Sequence, residues 1–324
     1  MAIIKGTERT DILNGTNNAD DIYGYGAEDS LRGNGGADRI WGGHGKDALF
    51  GGDGNDQLYA EAGDDWVDGG AGDDFINAGS GNDIIRSGVG NDTLTGGPGS
   101  DDLGAGAGND TLIYSATAIG PVDSLTSSKF NGESGYDVLK LDFRGQFDVA
   151  GERYVYTNVF QDASGAGTVG MSTSPLPFNG TSIDNGTFRN IEEFRLGDGS
   201  NAFDFTSLAD AKVVGGGGND VLRGLTGDQT FTGGSGADSF LFQWREGDDA
   251  GHDVITDFNA GQGDRILYNT QFSEDGPPSP FTISAAEANG RTTFTAVNDS
   301  TGVVAHVLEV NGVGLPPIEY YSLV

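Results

Sequence analysis

Gly51-Gly52-Asp53-Gly54-Asn55-Asp56-Gln57-Leu58-Tyr59 is one of twelve nine-residue units that follow one another from residue 6 to residue 113 without insertion or deletion. Counted from Gly6, the sixth position holds Asp11, Asp20, Asp29, Asp38, Asp47, Asp56, Asp65, Asp74, Asp83, Asp92, Asp101 and Asp110. The eighth position is aliphatic in every unit, from Leu13 and Ile22 to Leu103 and Leu112, and the fourth is Gly nine times running, from Gly36 to Gly108. A fixed period of this length marks a repeat architecture. Within a unit, six turn-forming residues precede three that can extend. Glycine supplies the positive φ of tight turns, and the short strand sends Leu58 to one side and its neighbours to the other. Two turns bring the chain back to its starting direction, so a coil takes two units, or 18 residues. Six such coils, stacked through parallel strands at ~4.8 Å, would span roughly 25 to 29 Å. The predicted fold is all-β, a parallel β-roll or β-solenoid.

Composition narrows the possible partners. Lys and Arg number 17 against 49 Asp and Glu, a net charge of −32. Nucleic acid and anionic membranes are excluded as natural partners by that sign. With 57 Gly and 35% hydrophobic residues, composition alone is compatible with disorder. The regular placement of Asp and Leu is not. There is no Cys, so neither a disulfide framework nor a thiolate metal site is available. No apolar run is long enough to span a bilayer, and residues 1–10 lack the apolar core of a cleavable signal peptide. Export, if it occurs, is expected by a route that does not read the N-terminus.

One inward aliphatic per nine residues is a thin core for so Gly-rich a chain, because apolar burial must offset the entropy of ordering. Stacking also sets Asp38 over Asp56 and Asp47 over Asp65, so like charges are aligned. A hard dication answers both difficulties. Ca2+ takes six to eight oxygens, which Asp carboxylates and the carbonyls of Gly-rich turns can supply without thiolate or imidazole. Consecutive Asp pairs on one side define five gaps, or about ten calcium sites in the first roll. The first three units are weaker turns, since Arg9, Asn18 and Ala27 replace the fourth-position Gly.

The unit resembles the calcium-binding nonapeptide of the RTX (repeats-in-toxin), hemolysin-type family of secreted bacterial proteins. The resemblance implies a calcium-bound parallel β-roll that stays unfolded where calcium is scarce. It also implies export by a type I system reading a C-terminal signal, with folding outside the cell. The thin core independently predicts that metal binding supplies folding free energy.

Beyond residue 113 the period breaks and returns. Gly132-Glu133-Ser134-Gly135-Tyr136-Asp137-Val138-Leu139-Lys140 is one echo, with Asp137 at the ligand position, among predicted strands at 138–143 and 153–160. Units restart at Gly215 with Asp220; Gln229 stands where the next Asp is expected; Asp238 is regular again, and Asp253 and Asp264 head weaker echoes. The expected organisation is a roll of twelve units at 1–113 and an intervening β-rich segment packing on the rolls at 114–196. A second, partly degenerate roll follows at 197–267, then an irregular β region at 268–324, broken by Gly276-Pro277-Pro278-Ser279-Pro280 and carrying, by resemblance, the secretion signal.

The outward positions carry aromatics. Tyr23, Trp41 and Tyr59 form one file with Phe75 beside it, and Phe50, Trp66 and Ile84 lie on the opposite face. These are expected to be covered by the chain or a second copy, or to contact a polysaccharide or a surface. Only His44, His252 and His306 are available for acid/base work, with no HExxH helix and no nucleophile-elbow serine. His44 reads as a solvated turn residue and His252 as part of a degraded turn. The chain is therefore read as a non-enzymatic, secreted, calcium-folded structural or surface protein of the S-layer, matrix or adhesin kind, able to self-assemble. The alternative is a calcium-stabilised polysaccharide-binding module, or a polysaccharide-active enzyme of epimerase or lyase type using residues 114–195.

Overall fold

A computed structural model describes residues 1–115, 128–142, 155–161, 166–172, 184–189, 191–197, 201–205, 210–224, 227–242, 251–269, 281–289, 291–298, 304–313 and 319–321. Among them every regular element is a strand. The chain divides into two compact units, residues 1–148 with 183–192, and residues 149–182 with 193–324.

In the first unit β1 (Ile3–Lys5) precedes the repeats, and each repeat then contributes one strand: β2 (Ile12–Asn14), β3 (Asp21–Gly26), β4 (Ser30–Gly35), β5 (Arg39–His44), β6 (Ala48–Asp53), β7 (Gln57–Ala62), β8 (Trp66–Ala71), β9 (Phe75–Ser80), β10 (Ile84–Val89), β11 (Thr93–Thr95), β12 (Asp102–Ala107) and β13 (Thr111–Ser115). β14 (Lys129–Asn131) and β15 (Val138–Asp142) continue the two series. Odd strands from β1 to β15 make one parallel face and even strands from β2 to β14 the other, which strand Asp184–Arg189 extends. Pairing runs in register one coil apart, Ile22 with Ile40 and Ile40 with Leu58. The period thus sets the register, because a one-residue slip would turn every aliphatic outward.

The eighth-position aliphatics from Ile22 to Leu112 are fully buried, and Leu13, at the open end, is half-buried. First positions also point inward and stay small: Ala60, Ala78, Ser87 and Ala105 replace Gly there and are buried without residue. The turns have different demands. Gly54 at the fourth position has φ +131, and a Cβ on it would collide with the carbonyl oxygen of Gly36 one coil below. Glycine is therefore required by conformation and by space at once. Where the sequence departs at second and fourth positions, Tyr25, Ala27, Asn34 and Glu61 adopt positive φ themselves, between 68 and 79. Ala27 thus still makes a regular turn, whereas Arg9 and Asn18 do not adopt it.

The second unit has its own parallel face of strands Glu193–Leu196, Ala211–Gly217, Gln229–Ser235, His252–Asn259 and Val304–Val313, which Arg291–Asn298 and Phe281–Ala288 extend antiparallel. Its other face runs through Asn201–Phe205, Val221–Gly224, Ser239–Phe242, Arg265–Asn269 and Glu319–Tyr321. Larger residues fill it: Phe194, Phe203, Phe231, Phe240, Phe242, Phe258 and Tyr268 are buried where the first unit carries Leu and Ile. Coils there lose the constant length, since Ala211 pairs with Gln229 but Thr230 with Val254. The strands expected at 138–143 and 153–160 are Val138–Asp142 and Val155–Gln161. Residues 143 and 153–154, the Gly/Pro break at 276–280 and residues 322–324 lie outside the described residues. No helix of the described residues is long and apolar enough to cross a membrane.

Candidate metal centre

Each sixth-position Asp immediately precedes its strand, and all but the half-buried Asp11 are buried, from Asp20 (2% exposed) through Asp56 and Asp92 (1% each) to Asp110 (0%). Two columns result. In one, the amide of Asp20 donates to Oδ1 of Asp38 at 2.7 Å, Asp38 to Asp56 at 2.7 Å, Asp56 to Asp74 at 2.8 Å, Asp74 to Asp92 at 2.8 Å and Asp92 to Asp110 at 2.8 Å. In the other, Asp11 donates to Asp29, Asp29 to Asp47, Asp47 to Asp65, Asp65 to Asp83 and Asp83 to Asp101. Every carboxylate of the two columns beyond Asp11 thus satisfies an amide 18 residues earlier through one oxygen.

The second oxygen is another matter. Oδ2 of Asp29, Asp38, Asp47, Asp56, Asp65, Asp74, Asp83, Asp110 and Asp137 is buried with no hydrogen-bond partner among the described residues. An unsatisfied buried carboxylate oxygen is costly. Burial accordingly pushes Asp47, Asp56, Asp101 and Asp110 up to about 6, and Asp65, Asp74, Asp83 and Asp137 up to about 7, against the downward pull of the amide bond. The like charge one coil away adds to the rise at Asp56 and Asp74. Asp29 and Asp38 are raised for the same reasons.

The columns continue through residues with no regular spacing. Asp110 donates to Oδ1 of Asp137, 27 residues on, and Asp137 in turn to Oε2 of Glu192. In the other column the next acceptor after Asp101 is the hydroxyl of Ser128. Neither Ser128 nor Glu192 is announced by the nine-residue pattern. Their signal exists only in the register of the folded coils.

The lower end differs. Oδ2 of Asp11 accepts from the amide and hydroxyl of Thr7 at 2.6 and 2.9 Å, and Oδ2 of Asp20 from the amide and hydroxyl of Thr16 at 2.7 Å each. Asp20, unlike the interior carboxylates, is held below the ordinary carboxylate value, by the amide of Ala2 and then by Thr16.

In the second unit Asp220 donates to Oδ1 of Asp238, and Asp238 to Oδ1 of Asp264. Oδ2 of Asp264 accepts from the amide of Asn259 at 2.7 Å. Burial raises Asp238, whose Oδ2 has no hydrogen-bond partner among the described residues. The parallel column runs from Gln229 to Oδ1 of Asp253, whose Oδ2 lies 2.9 Å from Nε2 of the buried His306. Asp257, outside the pattern, accepts from the amides of Gly233 and Gly234.

Ca2+ is the ion the donor chemistry fits. Among the described residues no three His, Asp or Glu side chains converge, so any ion must draw on backbone carbonyls beside one or two carboxylates. These are at hand. Oδ2 of Asp38 and the carbonyl oxygen of Gly51 both lie within 2.5 Å of the point a Cβ on Gly33 would occupy, and Oδ2 of Asp56 and the carbonyl oxygen of Gly69 do the same at Gly51. Such an all-oxygen supply suits a hard cation.

Outside the roll, Tyr23 and Trp41 stack at 4.6 Å between ring centres with planes 2° apart, Trp41 and Tyr59 at 5.7 Å and 10°, and Phe75 tilts against Tyr59 at 5.8 Å. Stacked this way, the rings occupy one another's faces, and Arg39 lies 5.8 Å from the Trp41 ring. A sugar would need a free face. Opposite, Trp66 and Ile84 are register neighbours exposed at 39% and 38%, while Phe50 sits under Arg32 at 4.2 Å. His44, expected in a turn, is exposed at the end of β5, and His252, expected in a degraded turn, opens strand His252–Asn259, exposed and 3.3 Å from Glu309.

The chain matches the family model of the RTX calcium-binding nonapeptide repeat (4 copies) over residues 5–40, 23–58, 50–85, 77–112 and 212–241. No curated protein matches it. Among solved structures, the extracellular lipase LipA from Serratia marcescens is similar over 75% of this chain and 38% of its own, at 17% identity and a TM-score of 0.20. This chain thus spans well under half of the lipase, and so low a score carries no argument.

Proposed function

We propose that this chain, a member of the RTX calcium-binding nonapeptide-repeat family, is a secreted structural or surface protein whose roll folds when calcium reaches its aspartate columns. RTX repeats bind calcium as β-rolls and are typically found in secreted proteins. One observation carries the reading here: buried carboxylates along both continuous columns hold an oxygen that has no hydrogen-bond partner among the described residues. Without a cation these oxygens make the ordered roll unfavourable. Calcium, when bound, supplies the counter-charge and takes up oxygen lone pairs. The chain's own part is to present Oδ2 and the turn carbonyls in register, which the amide-to-Oδ1 ladder does.

The role is structural and not catalytic in this proposal, with calcium-poor cytoplasm keeping the chain exportable through a type I system. The exposed Trp66 and Ile84 offer a contact for assembly between copies. Calcium titration followed by circular dichroism and light scattering tests both parts. The reading expects a cooperative gain of β signal and then growth in scattering. A folded, monodisperse monomer at saturating calcium would remove assembly, and a spectrum indifferent to calcium would remove the whole.

A further inference from the structure

Thr7 and Thr16 occupy the second position of their units, which is Gly43, Gly52 and Gly70 in later ones, at φ of 107 to 114. A β-branched residue avoids that conformation, and neither threonine adopts it. Each instead turns its own amide and hydroxyl onto Oδ2 of the aspartate four residues on. The hydroxyl also accepts the amide of the fourth residue, from Arg9 and Asn18 at 3.2 Å each. The non-glycine fourth position is thereby explained: a different turn is built, complete in itself. Oδ2 is satisfied within the turn at both Asp11 and Asp20, and Oδ1 of Asp20 also takes the amide of Ala2 at 2.5 Å.

We propose that the first coil is a calcium-independent cap in which Thr7 and Thr16 supply the donors that calcium replaces elsewhere, so that Asp11 and Asp20 are structural residues and the ion columns begin at Asp29 and Asp38. The proposal rests on the calcium reading above and corrects its ligand set. Donors carried within the turn hold this coil without an ion, whereas the interior coils, from Asp29 to Asp83, have no such donors on Oδ2 among the described residues.

The test counts bound calcium by equilibrium dialysis and atomic emission on the full chain. D20N is expected to hold as many ions as the unmodified protein, while D56N loses at least one. The double variant Thr16→Gly with Asn18→Gly restores a turn of the interior kind and is expected to gain one ion. Loss of an ion in D20N overturns the proposal. Should D20N fail to fold, the double variant decides alone, a gain supporting the cap and an unchanged count overturning it. If D56N also keeps every ion, the calcium reading of the columns fails instead.

Discussion

The backbone N–H of Asp38 donates to Oδ1 of Asp56, one coil further on, at 2.7 Å, while Oδ2 of Asp56 has no hydrogen-bond partner among the described residues. A single side chain therefore acts as a rung of the stack through one oxygen and as a candidate ligand through the other. The two roles can be separated. Asp56→Asn keeps an acceptor for Asp38 but loses the charge, and it is expected to raise the calcium midpoint of folding roughly tenfold, or about 1.4 kcal/mol. Asp56→Ala loses both roles and should cost more, by about another 1–3 kcal/mol for the unsatisfied Asp38 amide. Calcium titrations of the two variants by circular dichroism check the order.

Acid should partly replace calcium. Carboxylates raised to about 6 or 7 in the metal-free roll bind protons more tightly than unfolded Asp, whose value is about 3.9. Their protonation therefore stabilises the metal-free fold. That stabilisation is fully present below about pH 4 and is lost as pH rises through about 6 to 7. In chelator, β signal is expected to be greater at pH 5 than at pH 8. Calcium affinity should move the opposite way, falling as pH drops through the same window, which titrations at several pH values would read.

Gly54 and Gly51 belong to the same turn with different constraints. Alanine at Gly54 would have to adopt φ near +131 against the Gly36 carbonyl, so G54A is expected to lose at least about 1–3 kcal/mol from backbone strain alone. Three other units already place Ala at the position of Gly51, namely Ala60, Ala78 and Ala105. A Cβ at Gly51 would lie within 2.5 Å of Oδ2 of Asp56 and of the carbonyl oxygen of Gly69, so G51A is expected to fold with a loss of about 0.5–3 kcal/mol, smaller than that of G54A because its φ is not positive. Urea unfolding at saturating calcium compares them.

Trp41 lies between two parallel rings, Tyr23 and Tyr59. Removing it in W41A deletes two aromatic pairs worth about 0.5–1.5 kcal/mol each. The expected result is a stability loss of roughly 1–3 kcal/mol at saturating calcium, without loss of bound ions.

The coil was legible because its period is constant: Leu58 inward, Asp56 at the strand start and Tyr59 outward all follow from position within nine residues. The file Tyr23, Trp41, Tyr59 and Phe75 followed from the same count. Contacts that break the count were not legible. Ser128 and Glu192 enter the columns after 27 and 55 residues, and His306 meets Asp253 across 53. Thr7 and Thr16 did leave a local signal, a hydroxyl residue four before each Asp in place of glycine. Its meaning depends on which oxygen of the carboxylate remains, and only side-chain geometry shows that.

The most direct measurement is far-ultraviolet circular dichroism of the full chain at pH 8, where protons do not substitute for metal, first in chelator and then with calcium in excess. A largely disordered spectrum that converts cooperatively to β signal on calcium addition is the predicted result. Equal β content in both conditions would contradict the claim that the aspartate columns require an ion to fold.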